Sequence, residues 1–362
     1  MRLIELPPSK SLANRTLTAL AVHGKPLPEP DQSWSDDMRA MHRVLNGDGD
    51  AGAAGTAFRF GMAYWAAMQG TSTDLKGSDR LLERPIDGLV EALRSMGGDL
   101  SKQNDGSWKI RGKKLSGGDV SIDASVSSQF ISALYLIEPL MAKKLKLKLQ
   151  GKVVSAPYIA MTQRVMLERE WPVESDWSAG IVWALRASCM VESVCLQGLG
   201  RRSIQGDSIW SNWGLALGFS ASYEEQGLVI RGLPSRPKED MHLDLRNCPD
   251  LAQPIAAAAV LMRRKVSLTG LETLNGKEIP RLDALKAAMK MLGITVESSS
   301  STDLIFDSSQ WKPKEEHLSV DPEDDHRMAF FWALIGLEQA TEWMGEATVS
   351  KSYPHFWSDW NE

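Results

Sequence analysis

Cysteine is scarce in this chain, with three among 362 residues, at positions 189, 195 and 248. Their spacing matches no metal-ligand pattern, and an odd number this small implies free thiols in a reducing compartment, not a disulfide framework. Basic charge is also short: 41 Lys and Arg face 46 Asp and Glu, for a net charge of −5. A nucleic-acid surface needs a basic stripe that this balance does not supply, so a cationic site has to be local. Long apolar runs are missing too. The longest, Ile255 to Met262 and Phe330 to Leu337, fall well short of the ~20 residues of a membrane span. The opening MRLIELPPSKS lacks the apolar core of a secretory signal, so a cytoplasmic protein is expected. GDGDAG, Gly47 to Gly52, has the spelling of a dinucleotide loop, but MHRVLN before it reads as helix instead of strand. That removes the context a nucleotide site needs, and no cofactor or metal is expected.

What is present is an ordinary composition, 43% hydrophobic and 24% charged, in a chain long enough for two domains with full cores. One theme recurs six times: a polar loop bearing Ser or Asp runs into a helix of small and apolar residues. The openings are SKSLANRTLTALAV from Ser9, DAGAAGTAFRFGMAYWAA from Asp50, DASVSSQFISALYLI from Asp123, DWSAGIVWALRASCM from Asp176, DLAQPIAAAAVLM from Asp250 and DDHRMAFFWALIGL from Asp324. Helices with small residues all round can be buried on every side. A second, more amphipathic helix type alternates with the first, at Met38 to Asn46, Pro85 to Gly97, Pro157 to Glu168, Ser208 to Gly218 and Pro280 to Gly293. Pro in the first turn and Gly just past the end mark most of their boundaries. Alternating segments near Lys144, Ser193 and Lys265, and the opening Arg2 to Leu6, read as strands. Six units of about 60 residues are too many for one small core. They split three and three, with the boundary near Trp171 to Glu174.

The first loop, Ser9 to Arg15, places Lys10, Ser11, Asn14 and Arg15 at a helix N-terminus. Exposed N–H groups, the helix dipole and two full positive charges there suit phosphate or carboxylate. Further polar segments follow in order: GAAGTAFR from Gly52, GSDRLLERPI from Gly77, SVSSQF from Ser125, VSAPYI from Val154, SIQGD from Ser203, NCPDLAQ from Asn247, GKEIPR from Gly276, DHRMA from Asp325 and VSKSYPHFW from Val349. As an ordered set across the chain, these motifs resemble those of the EPSP synthase family of enolpyruvyl transferases.

The resemblance implies an α/β, two-lobed fold, an inside-out α/β barrel with three βαβαββ units per lobe. Residues 9–173 would form the N-terminal lobe, and residues 1–8 with 174–362 the C-terminal lobe, the helix N-termini of both facing one cleft. It implies transfer of the enolpyruvyl group of phosphoenolpyruvate (PEP) to the 5-hydroxyl of shikimate 3-phosphate with release of phosphate, by a monomer without cofactor, metal, nucleic-acid partner or membrane contact. Carried over residue by residue, Asp250 would be the base at the hydroxyl and Glu278 the proton donor, with Lys10 and Lys351 stabilising charge. Shikimate 3-phosphate would be held by Lys10, Ser11, Arg15, Ser127, Ser128, Gln129, Ser155, Asp250, Thr273 and Lys277. PEP would be held by Lys10, Gly55, Arg84, Gln129, Arg281, Arg327 and Lys351. The residue types suit two anionic acids, since guanidinium groups grip carboxylate or phosphate in pairs of N–H bonds and ammonium groups act as point charges.

Some positions depart from the family pattern. Ala53 and Thr273 stand where Asn is usual, Pro8 replaces a Gly, and Ile279-Pro280 replaces a polar pair. These changes leave a degenerate, non-catalytic binding protein as an alternative. The sister enzyme acting on UDP-N-acetylglucosamine is disfavoured, because its PEP loop carries a reactive Cys and Gly77 to Pro85 has none.

Overall fold

Helices with no polar face bury themselves on all sides, and this requirement organises the chain. The computed structural model describes residues 1–235, 237–297 and 300–362. The chain divides into two units, Pro8–Val173, and Met1–Pro7 together with Glu174–Glu362.

In the second of these, helices Ala252–Leu261 and His326–Ile335 bury all ten of their residues, and Trp177–Met190 buries twelve of fourteen. The three pack against one another at the centre of the core. Among the described residues, the unit also holds three pairs of parallel strands. Met241–Asp244 pairs with Lys265–Thr269, Leu318–Val320 with Thr341–Trp343, and Arg2–Glu5 with Ser193–Gln197. The last sheet continues antiparallel through Gly227–Gly232 to Phe219–Glu224, and Leu304–Asp307 adds an antiparallel edge to Lys265–Thr269. Amphipathic Arg281–Met291 lies outside, with Leu282, Leu285 and Met289 turned to the core.

Pro8–Val173 repeats the scheme around Lys10–Val22, Gly55–Ala67 and Ser128–Ile137, which also pack together. Asp36–Leu45, Asp87–Ser95 and Ala156–Glu168 are its outer helices. Strands Ser72–Leu75, Trp108–Arg111 and Asp99–Lys102 form an antiparallel sheet, and Gly118–Asp123 runs parallel to Leu145–Gln150. The first repeat is pared to its two helices, and the link from His23 to Ser35 forms no strand.

One expectation needs correction. Ser208 to Gly218 is not an α-helix; Gly206–Trp213 forms a 3₁₀ run, held by Trp210, whose indole donates to the Trp177 carbonyl at 2.8 Å. The sixth opening is capped by Asp325, while Asp324 before it is exposed with φ 60°.

Val191 ends the Trp177–Met190 helix in the left-handed region, at φ 54° and ψ 42°. A β-branched side chain is disfavoured there and glycine is the usual solution. Half-exposed Val191 makes little packing to lose. Val191→Gly is therefore expected to stabilise the protein by about 1 kcal/mol, read as a higher urea midpoint at unchanged slope; a lower midpoint would contradict the assignment.

Candidate active site

In the unit built from Glu174–Glu362, three acidic side chains from separate segments converge on one guanidinium. Arg281, 2% exposed at the first position of its helix, donates from Nε to Asp325 at 2.7 Å, from Nη1 to Asp250 at 2.9 Å and from Nη2 to Glu278 at 2.8 Å. Burial acts to lower the pKa of Arg281, but Asp325, Glu278 and Asp250 together outweigh it and hold the group firmly charged. A ring of cations surrounds the same acids. Lys277 Nζ lies 3.2 Å from Asp250, Arg327 Nη2 3.9 Å from Asp250, and Lys351 Nζ 3.5 Å from Glu278.

The helix starts explain the convergence. Asp325 serves two partners: one oxygen caps His326–Ile335 through the N–H groups of Arg327 and Met328 at 2.8 and 3.2 Å, and the other takes Arg281. Asp250 is not the cap of Ala252–Leu261. It lies in the 3₁₀ turn Pro249–Leu251 just before that helix, and Leu251 occupies the cap position. Its carboxylate is thereby left to the cations. Thr273, half-buried, starts the 3₁₀ turn Leu274–Gly276 that leads into Lys277. Buried His326 sets its ring edge-on to Phe330.

Asp207 of the SIQGD segment lies behind this cluster. It accepts from the Ser178 hydroxyl, and the Ser178 carbonyl accepts from Arg327 Nη1 at 3.0 Å. Burial, with Asp250 adding repulsion, raises the Asp207 carboxyl to about 6.

Pro8–Val173 gathers a second set of polar residues. Arg59 donates to the Gln129 side chain at 2.7 Å and to the Pro85 carbonyl at 3.0 Å, and Gln129 donates to Thr56 at 3.2 Å. Gly55 opens this helix against the guanidinium of Arg84, where an added Cβ would lie 2.8 Å from Nη1. Arg84 is buried, and its Nε has no hydrogen-bond partner among the described residues. An anion can satisfy such a group, and the N-terminus of Gly55–Ala67 favours one.

Lys10 pairs with Asp37 at 3.0 Å. Ser127 caps its helix through the Gln129 N–H at 3.2 Å, with Ser128 buried beside it. Ser155 starts Ala156–Glu168 in the left-handed region, at φ 52°, and its side chain makes no cap bond. Arg15 is a buried tie: it donates to Thr162 at 2.8 Å, the Ser11 carbonyl at 2.7 Å and Ser132 at 3.4 Å. Those bonds join the helices that carry Ser11, Ser127, Ser128 and Ser155. Burial brings its guanidinium down to about 10, partly offset by Tyr158.

Sequence reasoning left out Arg59, Asp37, Asp207 and Asp325 as site residues. Arg59 had a signal, one turn beyond Gly55 in GAAGTAFR, and Asp207 lay in a segment read only as structural. Asp37 and Asp325 carried none, since each looks like a helix-start acid.

The raised Asp207 fixes a sign. Its folded value lies above the ordinary 3.8, so the native state binds the extra proton and stability falls as pH rises from about 4 to 6. Asp207→Asn keeps an acceptor for Ser178 without the buried charge. It is expected to stabilise by on the order of 3 kcal/mol above pH 6 and by little near pH 4, measured by urea unfolding across that range. A gain independent of pH would rule this out.

Comparison with known proteins gives the family. The EPSP synthase (3-phosphoshikimate 1-carboxyvinyltransferase) family matches residues 48–169 and 166–360. A protein of Bacteroides fragilis named 3-phosphoshikimate 1-carboxyvinyltransferase is 34% identical, over 98% of this chain and 93% of its own length. One of the same name from Idiomarina loihiensis is 29% identical, over 99% and 95%. Among solved structures, EPSP synthase from Acinetobacter baumannii superposes with a TM-score of 0.71 at 18% identity, covering 99% of this chain and 94% of the other. The enolpyruvyl transferase NikO from Streptomyces tendae gives 0.72 at 12% identity, covering 100% and 94%. These two share the mixed α/β fold, and the family match together with the 34% identical relative establishes that this chain belongs to the EPSP synthase family.

Proposed function

We propose that the protein transfers the enolpyruvyl group of PEP to the 5-hydroxyl of shikimate 3-phosphate, releasing inorganic phosphate, as a monomer in the cytoplasm. The observation that carries the reading is the pairing of two carboxylates, Asp250 and Glu278, on one buried guanidinium within reach of Lys277, Lys351 and Arg327. The full-length relatives with that activity in their names support it. Three buried thiols suit a reducing compartment.

The chemistry is an addition followed by an elimination. In the first step the 5-oxygen bonds to C2 of PEP, its proton passes to Asp250, and C3 receives a proton from Glu278 to become a methyl group. In the second the C2–O bond to phosphate breaks, a methyl proton returns to Glu278, the proton held by Asp250 passes to the departing phosphate, and the enol ether forms as hydrogen phosphate leaves. Arg281 holds both carboxylates in place, and two of its five N–H donors remain for the substrate carboxylate. Lys351, beside Glu278, and Lys10 stabilise the charge on phosphate as it departs. Arg84 and Arg327 grip PEP, with Gly55 and Gln129 shaping its seat. Ser11, Ser127, Ser128, Ser155, Thr273 and Lys277 receive shikimate 3-phosphate, and Arg15 fixes the helices that carry the serines.

Phosphate release from PEP with shikimate 3-phosphate tests the whole reading; binding heat for both ligands without turnover would overturn it. Within an active enzyme, Asp250→Ala is expected to lower kcat by roughly a hundredfold or more, and near-normal turnover would remove Asp250 from the mechanism. Gly55→Ala pushes a methyl into the Arg84 guanidinium, so KM for PEP is expected to rise about tenfold with KM for shikimate 3-phosphate little changed. An equal rise in both would place Gly55 elsewhere.

A further inference from the structure

The aromatic helix Phe356–Asn361 is attached at both ends of the 3₁₀ turn Glu346–Lys351. At the far end, the Trp357 indole donates to the Glu346 carbonyl at 2.8 Å. At the near end, the Val349 carbonyl takes the N–H groups of Ser352 at 3.0 Å and Tyr353 at 2.8 Å, so Tyr353 leaves the turn in a fixed direction. The Tyr353 hydroxyl then donates to Asp359 at 2.6 Å. Phe356 fills the space between, with its ring centroid 5.6 Å from Tyr353 and stacked on Trp360 at 5.2 Å.

The helix is itself anchored to the core. Trp360 lies 5.2 Å from buried Trp183, and Arg186 donates to the Trp360 carbonyl at 2.8 Å. Phe356 also packs 4.8 Å from Phe330, on the helix that begins with His326 and Arg327. A flexible lysine stem has several rotamers to lose, and a site tolerates little misplacement. A turn clamped at both ends removes part of that freedom before substrate arrives.

We infer that Tyr353, Trp357 and Asp359 are positioning residues for Lys351: they clasp its turn and hold its ammonium against Glu278. The inference rests on the proposed transfer reaction, in which Lys351 acts on the departing phosphate. It also gives a role to Trp183, Trp357 and Trp360, which no substrate contact explains.

The test compares Trp357→Phe and Tyr353→Phe, which keep the rings and lose the donors, alone and combined with Lys351→Arg. Each single variant is expected to lower kcat roughly tenfold with KM for both substrates within about twofold, and to melt within a few degrees of the parent. Combined with Lys351→Arg, neither is expected to lower kcat further, because the clasp acts only through Lys351. Unchanged kcat in the folded single variants, or losses that multiply in the double variants, would overturn the inference. A second measurement does not depend on turnover. Acetylation of Lys351 by a water-soluble reagent, followed by peptide mass spectrometry, is expected to be severalfold faster in both single variants, and an unchanged rate would overturn the inference as well. A parent protein that fails to turn over would defeat the proposed reaction and leave this labelling result to be judged by itself.

Discussion

A guanidinium taken out of water is costly unless opposite charge repays its lost hydration, and Arg281 meets that condition with three carboxylates at once. Each acid comes from a different segment: Asp250 from the turn before one inner helix, Glu278 from the loop before Arg281, and Asp325 from the cap of another inner helix. Moving one segment would strand a buried charge on the others. The separation of Asp250 from Glu278 is thus set by a network in which partial satisfaction is worse than none. This is why the two groups assigned opposite proton transfers need no direct contact to keep their spacing.

In Pro8–Val173 the same device appears with neutral partners. Arg15 is as buried as Arg281, but it is held by hydroxyl groups and a carbonyl, and its pKa falls where that of Arg281 rises. Neutral oxygens orient a guanidinium without repaying its lost hydration, whereas carboxylates do both. Arg59 likewise joins its helix to Gln129 and to the carbonyl of Pro85, next to Arg84. Both arginines act on helix starts from the side. Among the described residues, the starts of Gly55–Ala67 and Ala156–Glu168 carry no side-chain cap, so their N–H groups stay available for an anion.

What could be read from sequence divides along this line. The six small-residue helices were legible because burial on all sides leaves a compositional mark, and residues 255–261 show it without a break. The cations were legible by residue type and order. Their partners were not. Asp325 and Asp324 are indistinguishable in sequence, and the choice between them is made by a left-handed backbone at residues 323 and 324 that delivers Asp325 to the cap. Arg15 and Arg84 look alike as loop cations, yet one is tied into three helices and the other has an Nε without a partner among the described residues. Ser208 to Gly218 carried an amphipathic pattern, but paired indoles of Trp177 and Trp210 hold it as a tighter 3₁₀ run. Contacts between distant segments decided the Arg15 and Trp210 cases, and local patterning does not encode them.

The Ile279-Pro280 pair shows how a departure from the family pattern can leave the cluster intact. Pro280 sits at the start of Arg281–Met291 with φ −66°, where its missing N–H would have had no helical partner. Its carbonyl accepts the Ala284 N–H at 2.9 Å, so the first turn is complete. Ile279 is 8% exposed and joins the hydrophobic core of its unit. Apolar packing and a fixed φ therefore set the loop where a polar pair would have used hydrogen bonds. Because Glu278 and Arg281 flank these two residues, their ion pair at 2.8 Å spans a segment with little backbone freedom left to lose. A loop stiffened in this way has the most direct effect on Glu278, which in the proposed mechanism has to meet the methylene carbon while paired with Lys351.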